Sequence, residues 1–248
     1  PEADARARAR KAPIALYVAK LGPSALMPAL EMLAFSFPRD VPAAAAPALR
    51  RDLIEAVGLL HDKRSLAVLS AILDDPAEEV ETTRTVSEAI ARIGNDEAAT
   101  RLLAALASSG SGDRTRAILA GMGECRRANV VEALAARLRT ASDDATARVT
   151  ARSLGRAGNA WAWKTMPERG EEAQIREVAA HTLVEAFVRH VGEARGAASN
   201  ALMVVDAPQT PALIAEARKS AAPEVQKALD GLAARFARNP TRIDVGGR

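Results

Sequence analysis

Arg148, Arg152 and Arg156 stand four residues apart, and Arg51, Arg84 and Arg92 occupy equivalent places in two earlier segments. On a helix, positions i, i+4 and i+8 share one face, so stacked helices of this kind would build a ladder of arginines. A guanidinium fork binds carboxylates or phosphates through two parallel hydrogen bonds. The chemistry expected is therefore non-covalent: an acidic segment of a protein partner held along the ridge. Glu55 and Glu88 stand in the earlier segments where Arg152 stands in the later one, so the ladder is most basic at 148–156. The same pattern also suits an ordinary solvated face carrying helix-internal Glu–Arg pairs, which contribute little. Trp161 and Trp163 are the only tryptophans. Aromatic side chains on an irregular edge can anchor a partner, or they can fill a gap in packing.

The remaining reactive side chains do not assemble into a reaction. His181 and His190 are nine residues apart, about 900° around a helix, and point to opposite faces. His61 is remote in sequence, and no His-Glu-x-x-His, P-loop or Gly-x-Ser-x-Gly string occurs. Cys125 is the single cysteine, so neither an internal disulfide nor a cysteine-based zinc cluster is possible. Arg126 and Arg127 beside it are expected to lower its pKa, although no partner base is identifiable. No catalytic residue, cofactor or metal site is expected, and the chain reads as a non-enzyme.

Composition narrows the classes further. Of 248 residues, 48% are hydrophobic, chiefly alanine, leucine and valine, and only 3% are aromatic. That mixture suits closely packed thin helices and not a sheet, which would call for β-branched and aromatic residues. The pI of 9.4 invites a nucleic-acid reading. The 34 Lys and Arg nearly balance the 31 Asp and Glu, however, and the excess sits at the ends. Residues 1–20 carry a net +3, from Arg6, Arg8, Arg10, Lys11 and Lys20 against Glu2 and Asp4. Residues 235–248 carry another +3, which leaves −3 for the body. The basic first helix is expected to be the polar face of a terminal cap. No apolar run reaches the roughly 20 residues needed to span a bilayer. The chain begins at Pro1 without a methionine, so upstream residues are expected to have been removed, and neither compartment nor oligomeric state is legible.

The elements that must position these residues are helices. They are expected over 5–20, 24–35, 44–61, 62–72 and 76–93, the last starting with proline in its first turn and closing at Gly94. Others follow over 96–108, 114–122, 128–140, 144–157, 171–190, 194–205, 210–220 and 223–237. Residues 159–170 are expected to form a short or irregular helix and a loop. The domain reading is an N-terminal cap over 1–42, a continuous array over 43–237 and a frayed tail over 238–248.

Val57, Ile90, Leu119, Leu154, Leu183 and Leu202 fall in register at separations of 33, 29, 35, 29 and 19. The first four separations fit helical hairpins. The last is too short for one, so either the phase slips near Gly192 or one of these helices plays the outer role. Ile175-Arg176-Glu-Val-Ala179-Ala-His-Thr-Leu183 and Ala194-Arg195-Gly-Ala-Ala198-Ser-Asn-Ala-Leu202 carry a Val-Arg-x-x-Ala-x-x-Ala-Leu-like pattern. On these residues the chain resembles HEAT repeats of the short bacterial kind associated with phycobilisome lyase subunits. The resemblance implies an all-α, right-handed α-solenoid of about six or seven antiparallel hairpins, with the ladder arginines on its concave inner helices. It also implies a non-catalytic scaffold or adaptor binding a protein. The alternatives are nucleic-acid binding in the concave groove, as in glycosylase-like helical repeats, and a bilin-lyase-like subunit, whose chemistry is not legible in these residues.

Overall fold

The computed structural model describes residues 14–35, 41–42 and 44–239, and the described residues are all-helical, with no strand among them. The expected basic helix start at Arg6, Arg8, Arg10 and Lys11 and the tail from residue 240 lie outside the described residues, as do 36–40. The helices are α1 (Ile14–Lys20), α2 (Leu26–Ala34), α3 (Ala46–Leu59), α4 (Leu66–Asp74), α5 (Val80–Ile93), α6 (Asp96–Ser108) and α7 (Asp113–Met122). They continue with α8 (Ala128–Thr140), α9 (Asp144–Ala157), the five-residue α10 (Ala160–Lys164), α11 (Glu172–Arg189), α12 (Gly192–Val205), α13 (Thr210–Ser220) and α14 (Pro223–Ala237).

Local chemistry sets most boundaries. Gly94 ends α5 in the left-handed conformation at φ 69°, which a side chain would resist. The Asn95 side chain then accepts the Ala98 backbone N–H to start α6, and Asp143 accepts that of Thr146 to start α9. Two expectations fail locally. The helix expected from Pro76 begins only at Val80, because the Asp75 carboxylate accepts the Ala77 backbone N–H and holds 75–79 in a turn. Asp113, expected as a cap, is instead the first helical residue, with Gly112 before it at φ 110°.

The helices form two rows. In one, α1 packs on α3, α3 on α5, α5 on α7, α7 on α9 and α9 on α12. In the other, α2 meets α4, α4 meets α6, α6 meets α8, α8 meets α11 and α11 meets α13. The aligned residues Val57, Ile90, Leu119, Leu154 and Leu202 all sit in the first row and are buried. Leu183 does not: α11 packs on α8 and α13 and belongs to the second row. This accounts for the short separation of 19. The hairpin after α9 is lengthened by α10 and the turns around it, and the next helix of the first row is α12.

Glycine appears at each junction of that row from α3 onward, where it permits close approach. A Cβ added to Gly58 would lie 2.7 Å from Ala89 Cα, one on Gly121 would lie 2.7 Å from Glu88 N, one on Gly123 2.9 Å from Ser153 Cα, and one on Gly155 2.8 Å from Ala201 Cβ. Small residues thus let helices carrying few aromatics exclude water along a shared core.

Candidate functional site

Several arginines are used to join helices. A helix leaves its last carbonyls unpaired and carries partial negative charge there, so a neighbouring guanidinium is stabilising at that end. Arg50 donates to Leu33 O at the end of α2, and Arg114 to Leu73 O at the end of α4. Arg189 donates to Leu138 O and Arg139 O at the end of α8, and Arg176 to Val205 O and Asp206 O at the end of α12.

The ladder itself lies on α3, α5 and α9 of the first row and is largely ion-paired within the chain. Arg51 pairs with Glu79 at 3.2 Å, and Arg148 pairs with Glu193 at the start of α12. Glu88 on α5 is a hub: Arg84 reaches it at 3.3 Å, Arg92 at 3.9 Å and Arg156, from α9, at 3.3 Å. Arg156 also pairs with Glu124 and donates to Ala120 O at 3.1 Å, so one side chain links α5, α7 and α9. Arg152 alone among the ladder residues is exposed with no ion pair among the described residues. The ladder is thus mixed in charge: Glu88 pairs within its own helix, as the solvated-face alternative has it, while Glu79, Glu193 and Glu124 reach Arg51, Arg148 and Arg156 from other segments.

The two tryptophans separate. The Asn159 side chain accepts the backbone N–H groups of Trp161 and Ala162 and starts α10. Trp163 then turns inward, 2% exposed, and donates Nε1–H to Ala157 O at 3.0 Å. Trp161 stays 57% exposed, with the Lys164 ammonium 4.2 Å above its ring. Trp163 thus fills packing while Trp161 remains presentable to a partner.

Residues 163–171 wall one side of an open cleft of about 760 Å³ that sequence reasoning did not find. Its other side is formed at the C-terminal ends of α3, α5 and α7, by Leu59 and His61, by Arg92 and Ile93, and by Glu124, Arg126 and Arg127. Glu171 fastens the wall: one carboxylate oxygen lies 3.2 Å from Arg127, and the other accepts the Ala128 N–H at 2.6 Å, capping α8. His61, at φ 52°, donates Nδ1–H to Arg92 O at 2.6 Å, satisfying a terminal carbonyl of α5. Half-buried Arg126 donates to the Glu124 backbone O at 3.4 Å, and burial lowers its guanidinium pKa below the usual value. The cleft joins side chains from positions 59 to 171, and no local spacing signals that convergence.

Cys125 departs from expectation. It is fully buried, and burial pushes its thiol up to about 12, outweighing the backbone N–H and charge of Arg127. The neighbouring cations do not win because the thiolate would be stripped of water. We expect no reaction with a disulfide reagent under native conditions at pH 8 and full reaction after unfolding. Rapid native labelling, read by mass spectrometry, contradicts this placement. Among the described residues no cluster of His, Cys, Asp and Glu could hold a metal ion, and no helix is long and apolar enough to cross a membrane.

No family model matches the chain, and no curated protein matches it. Among solved structures it is similar to human deoxyhypusine hydroxylase in complex with glycerol, at 16% identity and a TM-score of 0.36, covering 90% of this chain and 88% of that one. The expectation of a non-enzyme is withdrawn on this finding, because the similar structure is that of an enzyme. At that identity and TM-score, the likeness assigns neither a reaction nor a residue to this chain.

Proposed function

We propose that the chain is a HEAT-like, right-handed α-solenoid serving as a protein-binding scaffold, with the first row of helices as its concave face. The observation that carries this reading is the open cleft, bounded by helix ends joined through ion pairs and walled by the segment that presents Trp161. A surface already locked by the contacts of Glu88, Arg156 and Glu171 loses little conformational freedom on binding. Trp161 supplies the kind of rigid aromatic anchor that dominates interface energetics.

The test uses the full chain as bait in extract from its source cell, with retained proteins identified by mass spectrometry. Its comparison variants are Trp161→Ala and Arg152→Glu, both exposed positions whose replacement leaves the fold intact. Trp161→Ala is expected to weaken binding of the identified partner about thirtyfold, the effect of a ~2 kcal/mol anchor. Replacing Arg148, Arg152 and Arg156 together would confuse binding with folding, since Arg156 loss takes from Glu124 and Ala120 O their donor and from Glu88 its one link to α9. No protein retained by the unmodified chain defeats the scaffold reading, and so does salt-dependent retention of duplex DNA at about 50 mM salt as the sole ligand.

A further inference from the structure

We propose that the cleft holds an acidic side chain of the bound protein segment, with Arg92 and Arg126 taking its carboxylate and Leu59, Ile93 and Met166 taking its apolar neighbours. The proposal rests on the protein-binding reading and specifies the chemistry of the segment.

The charge inventory around the cleft carries it. Arg84, Arg92 and Arg156 all reach Glu88, and Arg156 also occupies Glu124. Arg126, beside Glu124, makes no ion pair of its own among the described residues, so among these, four guanidiniums share two carboxylates. Arg127 is satisfied separately by Asp96 and Glu171, and Glu171 is in turn committed to Arg127 and the Ala128 N–H. Glu168 also lines the cleft but is exposed. The unmet charge therefore belongs to Arg92 and Arg126. Both are half-buried, and each has a nitrogen shut off from solvent without a hydrogen-bond partner: Nη1 of Arg92 and Nε of Arg126. A buried charged donor left unpaired is costly, and a carboxylate entering between the two relieves that cost through charge-assisted bonds. Leu59, Ile93 and Met166 line the same cleft and are themselves half-buried. A glutamate or aspartate flanked by aliphatic residues matches this mixture of charge and apolar wall.

The probes are the blocked peptide acetyl-Leu-Ala-Glu-Ala-Leu-amide, its glutamine counterpart and inorganic phosphate, titrated into the full chain by calorimetry and by NMR of the arginine Nε–H signals. The glutamate peptide is expected to bind about tenfold tighter than the glutamine peptide and to shift the Arg92 and Arg126 signals. Arg126→Gln should bring that ratio close to one, Arg126→Lys should keep part of it, and Arg152→Gln should leave it unchanged. Equal binding of the two peptides, or no binding of either up to about 5 mM, overturns the proposal. Phosphate displacing the glutamate peptide at equal concentration, in an Arg126-dependent way, also overturns it and assigns the cleft to a phosphoryl group. A partner still captured through Trp161 while the peptides bind equally removes the carboxylate site and leaves the scaffold. An Arg126-dependent peptide preference without any captured protein does the reverse.

Discussion

Gly121→Val is expected to destabilise the fold by about 3 kcal/mol, the upper end of what overpacking ordinarily costs. Gly121 sits where α7 crosses α5, and an added Cβ would meet Ser87 Cβ, with Glu88 N at 2.7 Å and Ser87 C at 2.8 Å. Two of these three atoms are backbone, so no rotamer change relieves the overlap and the two helices must separate. Separation also pulls Glu88 away from Arg156, which loosens the contact between α5 and α9. Urea denaturation followed by circular dichroism would register a lower midpoint with little change in slope. Gly196→Ala in α12 is the matched control, because a Cβ there meets nothing within 4 Å. It should stabilise by ~0.5–1 kcal/mol, as alanine does over glycine in a helix. The same sign of effect at both positions would contradict the close approach of α5 and α7.

Trp163→Ala is expected to cost ~3–5 kcal/mol, the range for removing a large aromatic from a core. The substitution empties the space under the 163–171 wall and leaves Ala157 O, near the end of α9, without its Nε1–H donor. Trp161→Ala, two residues away, should shift stability by less than about 0.5 kcal/mol, because its ring lies on the surface. Paired thermal unfolding of the two variants checks the assignment. Comparable losses at both positions would mean that α10 does not turn one ring inward and the other outward. The contrast also makes Trp161 a clean probe of binding, since its removal leaves the cleft wall in place.

The local elements are written into the order of residues. Helix periodicity, the Gly94-Asn95 stop and the Asp143 cap encode the end of α5, the start of α6 and the start of α9 through interactions within a few residues, whereas Pro76 misplaces the start of α5. The irregularity of 159–170 is legible too, because Pro167 and Gly170 break the pattern and the two tryptophans stand in a chain poor in aromatics. Tertiary structure alone decided the roles. Which row α11 joins depends on what it packs against, and its HEAT-like string is equally compatible with either row. Ladder spacing places Arg84, Arg92 and Arg156 on helix faces and accounts for the pairs that Glu88 makes with Arg84 and Arg92 on its own helix, but says nothing of Arg156 reaching Glu88 and Glu124 from α9. Cys125 shows the same division: Arg126 and Arg127 beside it in sequence favour a thiolate, while burial by residues distant in sequence disfavours one more strongly. The burial of Cys125, the reach of Arg156 and the lining of the cleft all arise between segments many residues apart.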